Sequence, residues 1–383
     1  MYSIGIDKVI SAIINFFYFI GLWHRGATAT ARERRTKLLY YICNSLFLVS
    51  LVAGAITNEE VGKKIFLAEA SIVVIVLNVK LGLLIWKQNR IVNLLNRVCN
   101  FTVRCDEDLE FFNRTKGEFI KFIISFIVME TIACFEVTLI PLVRSEKNLV
   151  IEIGFPWDYK SSEIAFWTAT IFLLPATVVT SIASFLSMII WYLLLSCSLR
   201  YDILGSEMKR MGQKSEPMKL SEKQKHNLFE QHLKECVVVH LHTRELTEEV
   251  GSFFAEIFLI QFGTSALCIC GSIYCLVFDV GDSLLERCVY SILLFYCIAD
   301  LFLITYFGNE IMLSSNRLSY SLFESEWTEQ PQATKQCIII FAEYLKQPHE
   351  LLVGKLYPLT LETFSKILNS AYSMFNILKS VKE

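Results

Sequence analysis

Residues 164–187 read IAFWTATIFLLPATVVTSIASFLS, a run with no charged side chain and no strict alternation of apolar and polar positions. About 20 apolar residues in helical form cross the ~30 Å hydrocarbon core of a bilayer, and only helices or closed barrels satisfy their own backbone hydrogen bonds there. Barrel strands would show a period of two. The run therefore reads as a membrane-spanning helix. Six further largely apolar runs of similar length, all but the first with one to three charged residues, lie on either side of it, at 38–57, 65–86, 119–143, 252–278, 287–307 and 360–378. The chain of 383 residues is 54% hydrophobic and 19% charged, where an ordinary soluble domain carries roughly 25% charge, and its mean hydropathy is +0.45. The expected fold is an all-α integral membrane protein, residues 1–383 forming a single domain of seven transmembrane helices.

The fourth, fifth and sixth spans run on into amphipathic stretches at 188–211, 221–251 and 308–324, beyond the thickness of a bilayer. These predict a cytosolic helical anchor built from approximately 188–251 and 308–350. Within 221–251, Leu228, His232, Cys236 and Val239 fall near one helix face, with Glu235 intruding on it. The N-terminal run 9–23 is short for a span and is followed by a basic stretch. It imitates a signal peptide, but His24 and Arg25 interrupt the approach to the small residues Ala27-Thr28-Ala29. A short, partly embedded cytosolic helix is the reading preferred.

Lysine and arginine near the membrane set the orientation, because the cytosolic side holds the excess. Lys8, Arg25, Arg32, Arg34, Arg35 and Lys37 mark one loop as internal, and Lys87, Arg90, Arg97, Arg104, Arg114 and Lys116 mark another. The other side carries Lys63, Lys64, Arg144, Lys147 and Lys160, and almost no charge between 279 and 286 beyond acidic groups. Seven spans then place the N-terminus in the cytosol and the C-terminus outside. Asn100-Phe101-Thr102 and Asn113-Arg114-Thr115 match the glycosylation pattern yet fall in an internal loop. Glycan at either would reverse the topology.

Several function classes lack their signatures. A formal net charge of -2 and no basic stripe argue against nucleic acid as a partner. No phosphate-cradling glycine loop or nucleophile elbow occurs, so no enzymatic machinery is visible. His232, His240 and His242 follow no metal-ligand pattern, and Cys268, Cys270 and Cys275 face different directions on one helix; no metal or cofactor is expected. Most cysteines read as small hydrophobes inside the spans. Cys275 and Cys288 would flank one short outer loop and could pair if that side is oxidising.

Ionisable residues within spans are costly in hydrocarbon and tend to face a cavity, a partner or a pathway. Glu69, Lys80, Glu130, Glu136 and Asp300 are the candidates, with mutual pairing or snorkelling as the plainer reading; Glu130 and Asp300 sit deepest in their runs. Spacings of three and four also place Thr131, Cys134, Phe135 and Thr138 near one face, as they do Trp167, Thr170 and Leu174, and Tyr290, Leu294 and Cys297. Such faces suit a small, mostly apolar ligand with one or two hydrogen-bonding groups. Ordinary helix packing gives the same periodicity.

The last third is the most specific. Tyr306-Phe307-Gly308-Asn309-Glu310, then Ser314, Leu318, Phe323, Ser325 and Trp327, then Gln347-Pro348, Leu352-Val353-Gly354-Lys355, 359–364 (LTLETF) and 367–373 (ILNSAYS) follow one another in order. This series resembles the C-terminal pattern of the insect odorant receptor family. Gly21-Leu22-Trp23, Phe155-Pro156-Trp157-Asp158 and His240 extend the resemblance along the chain. His24 stands where a proline is frequent, and Phe323 where a tyrosine is usual.

The resemblance implies an odorant-gated, poorly selective cation channel: a heterotetramer of this odorant-binding subunit with a shared co-receptor, in the plasma membrane of a sensory-neuron dendrite. It implies that the final helix, approximately 360–379, lines the pore, with Phe375, Leu378 and Lys379 near the gate or outer mouth. A lysine beside a cation path opposes conduction unless other subunits dilute it, which fits a mixed tetramer. The resemblance also implies a pocket in the outer half, between the second, third, fourth and sixth spans. Ile72, Val73, Thr131, Phe135, Trp167, Thr170, Tyr290 and Leu294 are the lining candidates there. A gustatory-receptor-type channel, a metabotropic seven-helix receptor and a transporter compete. The metabotropic class lacks its Asn-Pro-x-x-Tyr ending, and Arg200-Tyr201-Asp202 has the wrong order for its triplet; no paired broken helices suggest a transporter.

Overall fold

The computed structural model describes residues 2–26, 28–143, 149, 151–159, 162–213, 221–278, 280, 284–354 and 356–382. Among them the chain forms ten α-helices: α1 (Lys8–Phe19), α2 (Ala31–Thr57), α3 (Val61–Trp86), α4 (Gln88–Cys99), α5 (Asp106–Val143), α6 (Glu163–Lys209), α7 (Glu222–Val277), α8 (Leu284–Phe323), α9 (Gln332–Leu345) and α10 (Leu361–Lys382). Two short antiparallel pairs join β1 (Tyr2–Ile4) to β2 (Phe101–Val103) and β3 (Leu352–Val353) to β4 (Tyr357–Pro358). Every run assigned to a span from the sequence lies in a helix, apart from Phe278 and Thr360 at the edges of two of them. By length and composition α2, α3, α6, α7 and α8 can each cross a membrane. Lys121, Glu130 and Glu136 interrupt the apolar stretch of α5, and α10 is amphipathic, with Lys366 and Lys379 among its exposed residues.

Local signals fix the helix starts. Thr30 and Glu33 form a reciprocal capping box on α2, and Ser221 and Gln224 form another on α7, each satisfying backbone donors that a helix start leaves open. The Asp7 carboxylate caps α1 by accepting from Val9 N–H at 2.9 Å. This apolar helix has 12 residues, too few to cross a bilayer. Its chain turns at Gly21, where φ is 74°, so that buried Trp23 can donate from Nε1 to the Leu84 carbonyl at 2.8 Å.

One end of the bundle gathers α1, α4, α9, the start of α5 and α7, and the far ends of α6 and α8. β1 pairs with β2 in the register Tyr2↔Val103 and Ile4↔Phe101, which brings the two basic segments, before α2 and after α3, to the same end. Arg200 of α6 donates to the carbonyls of Val98, Arg97 and Asn100 at 2.8, 2.9 and 3.0 Å, and Arg210 pairs with Asp108. This end is called inner below, following the lysine and arginine bias.

The buried stripe of α7 at the inner end runs through Phe229, Leu233, Cys236, His240, Thr243 and Leu246. It corrects the sequence reading: Leu228 and Val239 are exposed and the stripe sits about one position further along. Glu235 pairs with Arg104 at 2.8 Å, so the charge that seemed to intrude belongs to the solvated side. His240 meets Tyr201, Phe341 and Tyr344 edge-on, with ring centroids 6.2, 5.9 and 5.8 Å away, and Tyr201 Oη lies 2.9 Å from Nδ1 of His349. Burial pushes both His240 and His349 down to about 4.

At the outer end the segment 151–159 folds over α2. Gly154 N–H donates to the Ser50 carbonyl at 2.8 Å, a contact made possible because neither Gly54 nor Gly154 carries a Cβ that would fall inside the opposing backbone. Glu152 accepts from Asn58 and Lys63 at 3.1 and 3.0 Å. Arg144, Lys147 and Lys160 lie outside the described residues. Cys275 and Cys288 are both free thiols, so the pairing weighed from their spacing is absent from this structure.

Candidate ligand cavity

Helices α2, α3, α5, α6 and α8 converge in the outer half and leave a cavity of about 180 Å³ between them. This exceeds the ~150 Å³ of an apolar cavity able to hold a benzene ring. Phe47 and Leu51 enter from α2, Phe66, Val73 and Leu77 from α3, Glu130, Cys134 and Val137 from α5, and Ile292, Leu293 and Tyr296 from α8. α6 adds Thr177, Thr180, Ser181 and Ser184, and Ile151 comes from the outer segment. The helix directions sort this lining by depth. Leu51, Phe66, Val137, Ile151 and Val289 lie toward the outer end, and Leu77, Glu130, Ser184 and Tyr296 meet at the inner end, so the polar groups gather at the bottom.

The four spans expected to form a pocket all contribute, but through different faces than the sequence spacing selected. Val73 and Cys134 line the cavity. Thr131, Phe135, Trp167 and Leu174 are exposed on the outer surface of the chain, and Thr131 spends its hydroxyl on the Ile127 carbonyl at 2.7 Å. Thr170 is buried with its hydroxyl donated to the Phe166 carbonyl at 2.9 Å, and Tyr290 belongs to the outer packing cluster, its ring 4.4 Å from that of Phe66. Ile72, Leu294 and Cys297 pack in the main core. The side chain of Thr138 lies outside the described residues. On α5 and α8 the lining is displaced by about a residue around the helix, and on α6 it begins at Thr177, deeper than Trp167 and Thr170. Phe47 and Leu51 had no sequence signal, because α2 shows no distinctive face, and Ile151 had none because it lies outside any helix.

The ionisable residues inside the spans fall into place around this cavity. Lys80 of α3 and Asp300 of α8, both without exposed side-chain surface, form an ion pair at 2.5 Å. Trp191 and Gln261 donate to Asp300 at 3.1 and 2.9 Å, and Lys80 also donates to Ser187 at 2.7 Å. The pair is thus surrounded by partners from α6 and α7, which a buried ion pair needs to offset its desolvation. Tyr296 belongs to both places: its ring lines the cavity, and its hydroxyl donates to Asp300 at 3.3 Å. Glu69 accepts from Ser272 of α7, while its second oxygen has no hydrogen bond among the described residues. One oxygen of Glu136 likewise has none among the described residues. Glu130 faces the cavity, 2.5 Å from Ser184 Oγ.

The inner continuation of α8 meets α10. Gly308 lies against Leu359, just before α10, and a Cβ there would overlap the Leu359 carbonyl and side chain; the glycine of Tyr306-Phe307-Gly308-Asn309-Glu310 is what permits this close approach. Phe302 stacks edge-on with Phe364 at 5.4 Å. Of the residues expected near the pore, Phe375 and Leu378 are half-buried against the core and Lys379 is exposed. The Phe375 ring is 6.3 Å from that of Phe278 on α7.

The architecture is that of an integral membrane helical bundle enclosing a small, largely apolar cavity above a densely packed helical base. A family model described as 7tm Odorant receptor matches residues 60–372, and the chain belongs to that family. It is 22% identical over 390 residues to odorant receptor 46a, isoform B, of Drosophila melanogaster, covering 96% of both chains. It is 24% identical to odorant receptor Or2 of Anopheles gambiae over 46% of each chain, so that match spans about half of the relative's length. In fold it is similar to the insect olfactory receptor OR5 from Machilis hrabei in complex with eugenol, with a TM-score of 0.80, 16% identity and 98% of each chain covered.

Proposed function

We propose that the chain is the odorant-sensing subunit of a ligand-gated, non-selective cation channel, a heterotetramer formed with a shared co-receptor in the plasma membrane of sensory-neuron dendrites. The observation that carries this reading is the cavity between α2, α3, α5, α6 and α8, apolar at its outer end and polar at its inner end. A small volatile molecule fits that volume and chemistry. The family membership and the OR5–eugenol relative lend it support.

In this reading the N-terminus is cytosolic and the C-terminus outside, and residues 188–251 and 308–350 form the anchor. α10 borders the ion path. A ligand opens the channel only by binding the open state more tightly than the closed one. Tyr296 offers the mechanical link, since the ring that would touch the ligand carries a hydroxyl bound to Asp300 on the same helix whose Phe302 packs on Phe364 of α10 and whose Gly308 packs on Leu359 just before α10.

The test is recording of odorant-evoked currents with and without the co-receptor, beside an Ala133→Trp variant that fills the cavity. Expected are cation currents that need the co-receptor and lose at least ten-fold in odorant sensitivity in the variant, with surface expression kept. Currents that require a G protein, or that ignore the filled cavity, would overturn the proposal. Glycan attached at Asn100 or Asn113 would overturn the orientation alone.

A further inference from the structure

The inner end of the cavity presents a carboxyl group to whatever occupies it. Glu130 lies between Met129 and Ala133 on the cavity side of α5, and Ser184, Ser181 and Tyr296 complete its surroundings. Its Oε2 is 2.5 Å from Ser184 Oγ. Oε1 has no hydrogen-bond partner among the described residues, and it is not among the sealed-off polar atoms that lack one. An apolar ligand pressed against it would leave a carboxyl oxygen stripped of water without a partner, which is strongly unfavourable.

Proton bookkeeping makes Oε1 an acceptor. Ser184 Oγ is within 2.5 Å of Glu130 Oε2 and 2.7 Å of the Ser181 carbonyl, and it has one proton. An ionised Glu130 accepts at both oxygens. A neutral Glu130 makes hydrogen bonds of both short contacts only with its proton on Oε2, donating to Ser184 while Ser184 donates to Ser181; a proton on Oε1 would leave one of the two contacts without a hydrogen, so Oε1 is again a carbonyl-type acceptor. The other hydroxyls already have partners, Tyr296 donating to Asp300 and Thr177 and Thr180 to carbonyls of their own helix; they keep acceptor lone pairs, and Glu130 Oε1 is the carboxyl oxygen of the lining left without a partner among the described residues.

Building on the cavity reading above, we infer that Glu130 selects ligands that carry a hydrogen-bond donor, an amine or a hydroxyl group, at one end of a compact apolar skeleton. The donor points to the inner end, and the apolar part lies between Phe47, Leu51, Phe66 and Val137. Esters, ethers and hydrocarbons of the same shape occupy the same volume but leave Oε1 unpaired.

The test is a current-based dose–response screen of the channel with its co-receptor, on a panel in which every skeleton appears as alcohol, primary amine and methyl ether. Wild type should respond to the alcohol or the amine of its preferred skeleton at concentrations at least ten-fold lower than to the ether, the size expected of one hydrogen bond to a charged group. Glu130→Leu should remove this preference while keeping the ether response, which shows that the variant folds and gates. The amine and alcohol arms tell which donor is used. Equal or better responses to ethers in wild type, or a preference unchanged in Glu130→Leu, would overturn the inference. If Glu130→Leu gives no current, Glu130→Gln carries the test, since an amide also offers a donor and should raise the ether response; a Gln variant with wild-type preference would overturn it. Silence of the whole panel, or indifference to Ala133→Trp, would instead overturn the cavity reading itself.

Discussion

The two halves of α6 have similar hydropathy and opposite surroundings. From residue 186 to residue 201 every side chain is buried, as an apolar helix is when other helices pack around it on all sides. In the outer half Trp167, Ile171 and Leu174 are 49%, 70% and 44% exposed on one face, while Thr177, Thr180, Ser181 and Ser184 open onto the cavity from another. The comparison teaches where a small ligand can act. A densely packed base has no room to deform gradually, whereas the outer half has space for a guest and few contacts to break. The Lys80–Asp300 pair and its partners Ser187, Trp191 and Gln261 stand on the boundary between the two.

The largest expected effect comes from breaking that boundary. Asp300→Asn leaves Lys80 buried without its counter-charge, and Lys80→Met leaves Asp300 so; each should destabilise by about 3–5 kcal/mol, the magnitude for stripping one partner from a buried pair. Most of the protein should then fail to reach the cell surface. The double variant should recover a large share, because neither charge is stranded. Surface labelling together with thermal unfolding in detergent measures both. A single variant that reaches the surface normally would show that the base of the bundle does not depend on the pair.

Acid should loosen the inner half next. His240 and His349 are held at about 4 by burial, below the ~6.5 of a solvated histidine. The unfolded chain therefore binds protons more readily. The stability these neutral rings contribute is complete above pH 6.5 and is lost as pH falls toward 4. At pH 5 this amounts to roughly 2 kcal/mol per histidine. Hydrogen exchange, corrected for its own pH dependence, should show α7 opening near His240 at pH 5 and protected at pH 7.5. His240→Leu should reduce the difference. Equal protection at both pH values would contradict the burial argument.

The same contrast explains what could be read from the sequence. Membrane helices were legible because hydrocarbon admits no unsatisfied backbone, and Lys80, Glu130 and Asp300 were legible because charge in that setting needs a reason. The family pattern in the last third was legible too, and Gly308 against Leu359 gives one of its positions a steric cause. Helix faces were not. In water an apolar stripe marks the core, but lipid is as apolar as a cavity wall, so Phe135 facing out and Val137 facing in leave the same trace. The contribution of Phe47 and Leu51 was hidden for the same reason, and that of Ile151 because a loop residue has no period to betray it.

That ambiguity yields the smallest predicted effect. Phe135 is 56% exposed on α5, two residues from cavity-lining Val137 and from Ala133 on its other side. Phe135→Ala should change stability by no more than about 0.5 kcal/mol, as surface substitutions usually do. Thr131→Ala should behave alike, since its hydroxyl only back-bonds to Ile127. Dose–response curves should therefore superimpose on wild type for both variants, whereas Val137→Ala, which enlarges the cavity, should shift the curve. A large shift for Phe135→Ala with none for Val137→Ala would mean that the ligand approaches the opposite face of α5, and that the face chosen by spacing, rather than the cavity, holds it. The two residues sit on one helix at nearly the same depth, so with surface expression measured for each variant that outcome reports which face of α5 the ligand meets.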